Sequence, residues 1–238
     1  DVETGDRTEI EGLAAAVREH WALGNGPLGN VLALLESKGC VVVRLVTESE
    51  GIDAYSRWSG PRPVIVLTLD KNDAARSNFD AAHELGHLVM HRDPQPGSRV
   101  AEEQAQMFAA AFLMPAEAIR AELPNRFDLS VFVALKHRWR VSIQALLYRA
   151  RVLATISEAA YKRAMMKISM LGWRTGEPHR LSDVEEPHLL TAAIALLRAH
   201  RGLDAAAIAR EMSIPTDLMD EFVAEARPRL RVVSGPVG

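Results

Sequence analysis

A disulfide framework is impossible here. The 238 residues include one cysteine, Cys40, which also rules out a cysteine-built zinc ribbon. A reducing, cytoplasmic setting is therefore expected. Long apolar runs are missing too. The longest, Met107 to Ala116, is about ten residues and contains Pro115, whereas about 20 are needed to span a bilayer. No secretory signal opens the chain, and it begins at Asp1 rather than Met, which fits the removal of residues upstream. No internal period recurs, so collagen-like and repeat architectures are excluded. Disorder is excluded by 48% hydrophobic residues and a net charge of only −3. That material suffices for one core with an appendage, or for two small domains.

Charge is spread unevenly. Between Lys136 and Arg180 ten basic residues face two acids, Glu158 and Glu177, giving this stretch +8 and leaving −11 for the rest. Such asymmetry marks either a surface for an acidic partner or nucleic acid, or a segment that packs against the acidic remainder of its own chain. The second reading is favoured.

Apolar spacing predicts helices over 9–23, 28–38, 79–91, 101–113, 116–122, 128–138, 142–153, 157–170, 187–200, 204–212 and 216–226. Short β-branched runs predict strands over 40–46 and 64–69. Ser59, Gly60, Pro61 and Pro63 read as a loop between them. A small sheet with helices, followed by helices alone, is an α+β layout. We expect a domain over 1–155 and a helical C-terminal region over 156–238, with a further break near residue 175.

The sharpest chemical signal is His83-Glu84-Leu85-Gly86-His87, mid-helix after a strand. Residues i and i+4 share a helix face about 6 Å apart along the axis. Two imidazoles so placed can converge on one metal. Glu84 points roughly 100° away from His83, past the metal, where it can act as general base toward a water that the metal activates. His91 is a further i+4 step, but it lies about 12 Å along the axis from His83, beyond shared ligation of one ion. It reads as a C-terminal residue favoured by the helix dipole. A third ligand is better sought on the next helix, where Glu102 and Glu103 are both available.

The segments AAHELGHLVMH and EEQAQMFAAAFLMP together resemble the ImmA/IrrE family of metallo-endopeptidases, over roughly residues 10–150. The resemblance implies a zincin-like fold, a small sheet beside an active-site helix followed by an all-α C-terminal region. It implies Zn2+ held by His83, His87 and Glu102, with Glu84 catalytic. Gln106 stands where the family has Asn or Asp, whose role resembles an outer contact to a ligand histidine. Residues Val141 to Leu153, Gly172-Trp173-Arg174 and Glu177-Pro178 resemble extensions of members fused to helix-turn-helix repressor domains. Such members cleave transcriptional repressors or are regulators themselves. A repressor is thus the expected protein substrate, with DNA bound only through a domain outside this chain.

Val64, Ile65, Val66 and Leu67 are expected to bind extended substrate by strand addition, against the plainer reading of an interior strand. His137 is one guess for oxyanion support, against the plainer reading of an exposed structural histidine. Residues 203–226 weakly resemble a helix-turn-helix. Its second helix carries Asp217, Asp220, Glu221 and Glu225 and no base, which phosphate would repel. A small interaction module is expected instead. The alternative to the peptidase is a non-enzymatic metal or ligand sensor within a regulator, and the oligomeric state is left open.

Overall fold

The structure, a computed structural model, describes residues 4–45, 54–68, 73–91, 98–174, 176–181 and 184–212. The chain divides into two compact units, Asp1–Glu186 and Pro187–Gly238. The predicted helix 216–226 and the turn before it lie outside the described residues, as does the loop around Pro94–Gly97.

The first unit opens with α1 (Thr4–His20) and α2 (Val31–Ser37), followed by β1 (Val41–Leu45), β2 (Ala54–Ser59) and β3 (Arg62–Thr68). Then come α3 (Ala74–Met90), α4 (Arg99–Leu113), α5 (Ala116–Arg120), α6 (Leu129–Trp139), α7 (Ile143–Val152) and α8 (Glu158–Met170). The α+β layout read from the sequence is observed. The strand β2 was not expected. Its sequence AYSRWS has no β-branched run, and Gly60 and Pro61 had read as loop. They form instead the two-residue turn of a hairpin in which Ser59 pairs with Arg62. Gly60 has φ +58° and Pro61 has φ fixed near −65°, the sign pattern of a type II′ turn.

The strand order is β1-β3-β2, with β1 parallel and β2 antiparallel to β3. The central position of β3 explains its almost continuous burial from Ile65 to Thr68. Helix α3 packs on β2, β3 and α4. Ile65, Leu67, Leu85, Phe108, Phe112 and Trp139 share one core. Ile156, Ala164 and Ile168, beyond the 155/156 division expected from the sequence, share it as well.

Helix ends are finished by distant residues. The last carbonyls of α4, unpaired within the helix, receive two arginines. Arg18 donates to Phe112 O at 2.6 Å, and Arg149 donates to Met114 O at 2.9 Å. Arg149 is in turn held by Glu11. Residues 176–181 and 184–186 do the same for helix starts. Glu177 accepts from Ile143 N and Gln144 N at 2.8 and 3.0 Å on α7, and Leu181 O accepts from Ala74 N at 3.0 Å on α3. Glu185 accepts from Leu32 N at 3.4 Å on α2.

The basic stretch is largely spent on the chain itself. Lys136 is fully buried between Asp73 at 3.4 Å and Glu177 at 3.1 Å. Arg138 pairs with Glu122, Arg140 with Glu185, Arg149 with Glu11 and Arg151 with Glu158.

In the second unit, α9 (Leu189–Arg201) ends at Gly202, and α10 (Ala205–Met212) follows. Ile194, Ile208 and Ala209 are buried, and Arg201 meets Glu211 at 3.4 Å. Among the described residues no helix is long and apolar enough to cross a membrane.

Candidate active site

Helix α3 starts earlier than its apolar spacing suggests, because Asp73 caps it by accepting from Ala75 N at 3.0 Å. The extra turns leave His83, Glu84 and His87 in the interior of a long, regular helix rather than at a fraying end. Helix α4 begins with Ser98, whose hydroxyl accepts from Ala101 N. That cap fixes Glu102 in the first turn.

The two helices bring His83, His87 and Glu102 together. His83 Nε2 lies 3.1 Å from Glu102 Oε2 and 3.1 Å from His87 Nε2, and His87 Nε2 lies 3.5 Å from Glu102 Oε1. Ligands at about 2.0–2.1 Å around a tetrahedral zinc stand about 3.3 Å apart, so this donor set fits such an ion. The histidine side chains are 19% and 13% exposed and that of Glu102 is 58% exposed, which leaves the carboxylate side open. Burial lowers the pKa of both histidines, with Glu102 acting against it. Neutral imidazoles are the form that ligates metal. Glu103 pairs instead with Arg99 at 2.9 Å, so Glu102 is the acid of the two that stands against both histidines.

Glu84 is only 5% exposed. Burial pushes its carboxyl up to about 7; the Ser56 hydroxyl acts against this, and the negative charges of Glu102 and Asp80 add to it. A carboxylate titrating near neutrality is matched to general-base work.

The sequence reading gave His91 no part in the site, and the structure gives it one. His87 Nδ1 lies 3.0 Å from His91 Nδ1, and His91 Nε2 lies 2.9 Å from Gln104 Oε1. Gln104 Oε1 can only accept, so His91 carries its proton on Nε2. His91 Nδ1 then accepts from His87 Nδ1–H, and the lone pair of His87 Nε2 is left facing His83 and Glu102. The i+4 spacing that excluded His91 as a ligand is what places it behind one. Gln106, which the family pattern suggested for such an outer contact, is exposed and lines a different cavity with Phe79 and Asp80.

Val64 to Leu67 need a correction. They lie in β3, whose main chain is hydrogen-bonded to β1 on one side and to β2 on the other, so no edge remains for strand addition. The two edge strands among the described residues are β1 and β2, and the one that packs on α3 is β2. It is fastened to the histidine helix, with Ser56 Oγ donating to Glu84 O at 3.1 Å and Trp58 Nε1 to Leu88 O at 3.2 Å. A cavity of about 750 Å³, lined by Ser56, Arg57, Trp58, Gly60, His87 and His91 among others, opens between them. His137 is exposed and faces His179, ring centroids 6.4 Å apart, and belongs to neither the cluster nor this cavity.

Residues 35–151 match the family described as the IrrE N-terminal-like domain, a peptidase family. This stretch is an ImmA/IrrE-family metallopeptidase domain. A search of curated proteins found no match. The matched segment runs from the last turn of α2 to α7 and so contains the sheet, both helices of the cluster, Glu84, His91 and Gln104. The metallopeptidase type of function follows from that membership, and the His83, His87 and Glu102 group is the one that could hold the ion.

Proposed function

We propose that the chain is a zinc-dependent endopeptidase acting on a protein substrate. The observation that carries this reading is the joint position of Glu102 against both histidines, with the buried carboxylate of Glu84 on the same helix. Zinc is preferred because two imidazoles and one carboxylate form its usual open catalytic set. When bound, the metal would supply Lewis-acid activation of water and of the scissile carbonyl.

The remaining steps fall to the chain's own groups. His83, His87 and Glu102 hold the ion. Gln104 and His91 fix the proton of His87 on Nδ1. An extended substrate segment pairs with the open edge of β2 beside the cavity. Glu84 takes the proton of the attacking water on its carboxylate and hands it to the leaving amine.

A transcriptional repressor is the substrate we infer, by the likeness of residues 141–178 to extensions of regulator-fused members. The sensor alternative leaves Glu84 unexplained, since ligating a metal requires no buried base next to the ligands. The test is Glu84→Gln in the full chain. The variant should keep its zinc and its fold and lose roughly 10²–10⁴ in cleavage rate. Co-expression with candidate repressors, read by mass spectrometry, supplies the assay. Equal regulation by both forms with no cut product would establish the sensor. Separately, His83→Ala, His87→Ala and Glu102→Ala should each lose the metal by elemental analysis, while Glu103→Ala should retain it.

A further inference from the structure

A second cleft begins on the opposite side of His83 along α3 from the β2 cavity. One part, of about 280 Å³, is bounded by Phe79, Asp80, Gln106 and Tyr148. A larger part, of about 630 Å³, runs along α8 past Met166 and Met170. The two share Tyr161, Met165 and Arg174, and so form one continuous depression. Its inner end is lined by residues one helix turn from two members of the His83, His87 and Glu102 group. Asp80 stands one turn before His83 and its charge is felt there, and Gln106 stands one turn after Glu102.

The outer end is unusual in its chemistry. Met166, Met170 and Leu171 are 65%, 86% and 47% exposed. A cluster of large apolar side chains left in water at one helix end marks a binding surface, and thioethers adapt to varied apolar partners. The rim is cationic. Arg76 donates to Arg174 O at 2.7 Å and Arg174 donates to Ser169 Oγ. Among the described residues neither arginine has a carboxylate partner. Lys162 has only the exposed Glu158 at 3.9 Å, a pairing worth little. Asp80 alone contributes negative charge to the lining, at the inner end. Lys136, Arg138, Arg140, Arg149 and Arg151 are each taken up by an ion pair, so two arginines without acids beside an apolar floor indicate a partner that brings its own.

Resting on the peptidase reading above, we propose that this cleft is the recognition subsite of the enzyme. It takes the segment of the protein substrate that continues past the scissile bond. One bulky apolar side chain settles among Tyr161, Met165, Met166 and Met170, and a neighbouring Asp or Glu meets Arg76 and Arg174. With the β2 cavity on the other side of the cluster, the substrate is gripped on both sides of the cut.

The probe is a displayed library of random dodecapeptides, panned on the zinc-loaded, full-length Glu84→Gln chain. Selected peptides should be enriched in Leu, Met or Phe next to Asp or Glu. Their affinity, by fluorescence anisotropy, should fall at least tenfold in Met166→Asp and in Arg174→Glu built on that background, a loss expected for an anchoring contact. Both positions are exposed, and unchanged melting temperature and zinc content verify the fold. Selection of no peptide, selection without acidic residues, or unchanged affinity in both variants overturns the proposal. Cutting of the same peptides by the wild-type chain separates the two readings. Peptides bound through the cleft but never cut sink the peptidase and leave the cleft standing. Peptides cut equally by wild type and by the two cleft variants with Glu84 restored sink the cleft and leave the peptidase standing.

Discussion

Gly86 lies so close to Ala105 that a methyl group between them would have to push its neighbours aside. A Cβ placed on Gly86 would stand 3.2 Å from Ala105 Cα and 3.1 Å from Phe108 Cδ1. The glycine in the middle of the histidine motif thus sets how closely α3 approaches α4, and Ala105 is three residues from Glu102. The separation of the two histidines from their carboxylate is fixed by a missing side chain.

Gly86→Ala therefore opposes two effects. Helix propensity favours the alanine by roughly 0.5–1 kcal/mol. Overpacking costs typically about 1–3 kcal/mol, and here one obstacle is backbone, which cannot rotate aside. We expect a net loss on the order of 1 kcal/mol in urea denaturation and a measurable drop in zinc affinity. A variant more stable than wild type with unaltered affinity would contradict this account.

His91→Ala should weaken zinc binding by about 10–100-fold, the usual cost of losing an outer contact to a ligand histidine. Chelator competition measures it. His91→Asn, whose amide oxygen can accept from His87 Nδ1, should recover part of the affinity. Gln104→Ala should show a smaller loss, being one hydrogen bond further out.

Lys136 is the test of the buried ionic cluster. Lys136→Ala leaves the carboxylates of Asp73 and Glu177 facing each other in the interior, and removal of one member of such a group costs about 3–5 kcal/mol. Denaturant titration should show it. The double variant Lys136→Met with Glu177→Gln should be less damaging than the sum of its parts, because the stranded charge is removed together with its partner.

The amount legible in the sequence varied with the physics involved. Helices with one apolar face announce themselves through spacing, and even the Ser142 cap could be read in advance. It accepts from Ala145 N at 3.0 Å. His83 and His87 were legible because one helix turn determines their geometry. Glu102 over Glu103 was not, since the choice depends on how α4 rotates against α3; family likeness supplied it. The misplacement of the substrate strand has the same origin. Val64 to Leu67 look like any good strand, and nothing in them says that the unread β2 will pair on one side and β1 on the other. The Lys136 cluster joins residues 63 and 41 positions apart, a separation at which local pattern carries no information.

Cys40 gives a pH signature. It is 3% exposed, and burial pushes its thiol up to about 11 from an ordinary 9.0. The folded chain thus holds this proton more tightly than the unfolded chain does. The thiol contributes its stability below pH 9, and that contribution falls as pH rises from about 9 to about 11. The stability difference between wild type and Cys40→Ala should shrink across that window, by an amount on the order of 3 kcal/mol at most. Alkylation of the native chain at pH 8 should be slow and should speed up on adding urea. Immediate reaction of the native thiol would be the contrary result.

The distant residues that complete the helix ends bear on where such a protein can be cut. The recognisable stretch, 35–151, contains every proposed catalytic group, yet it omits Glu11 and Arg18 before it and Glu177, Leu181 and Glu185 after it. A piece trimmed to those borders for grafting onto another protein would carry a buried Lys136 without Glu177, an Arg149 without Glu11, an α2 cut in its middle, and the starts of α3 and α7 stripped of their acceptors. The smallest transplantable module is accordingly larger than the inherited one. Recombination during evolution faces the same boundary, and would be expected to move this catalytic domain together with its flanks.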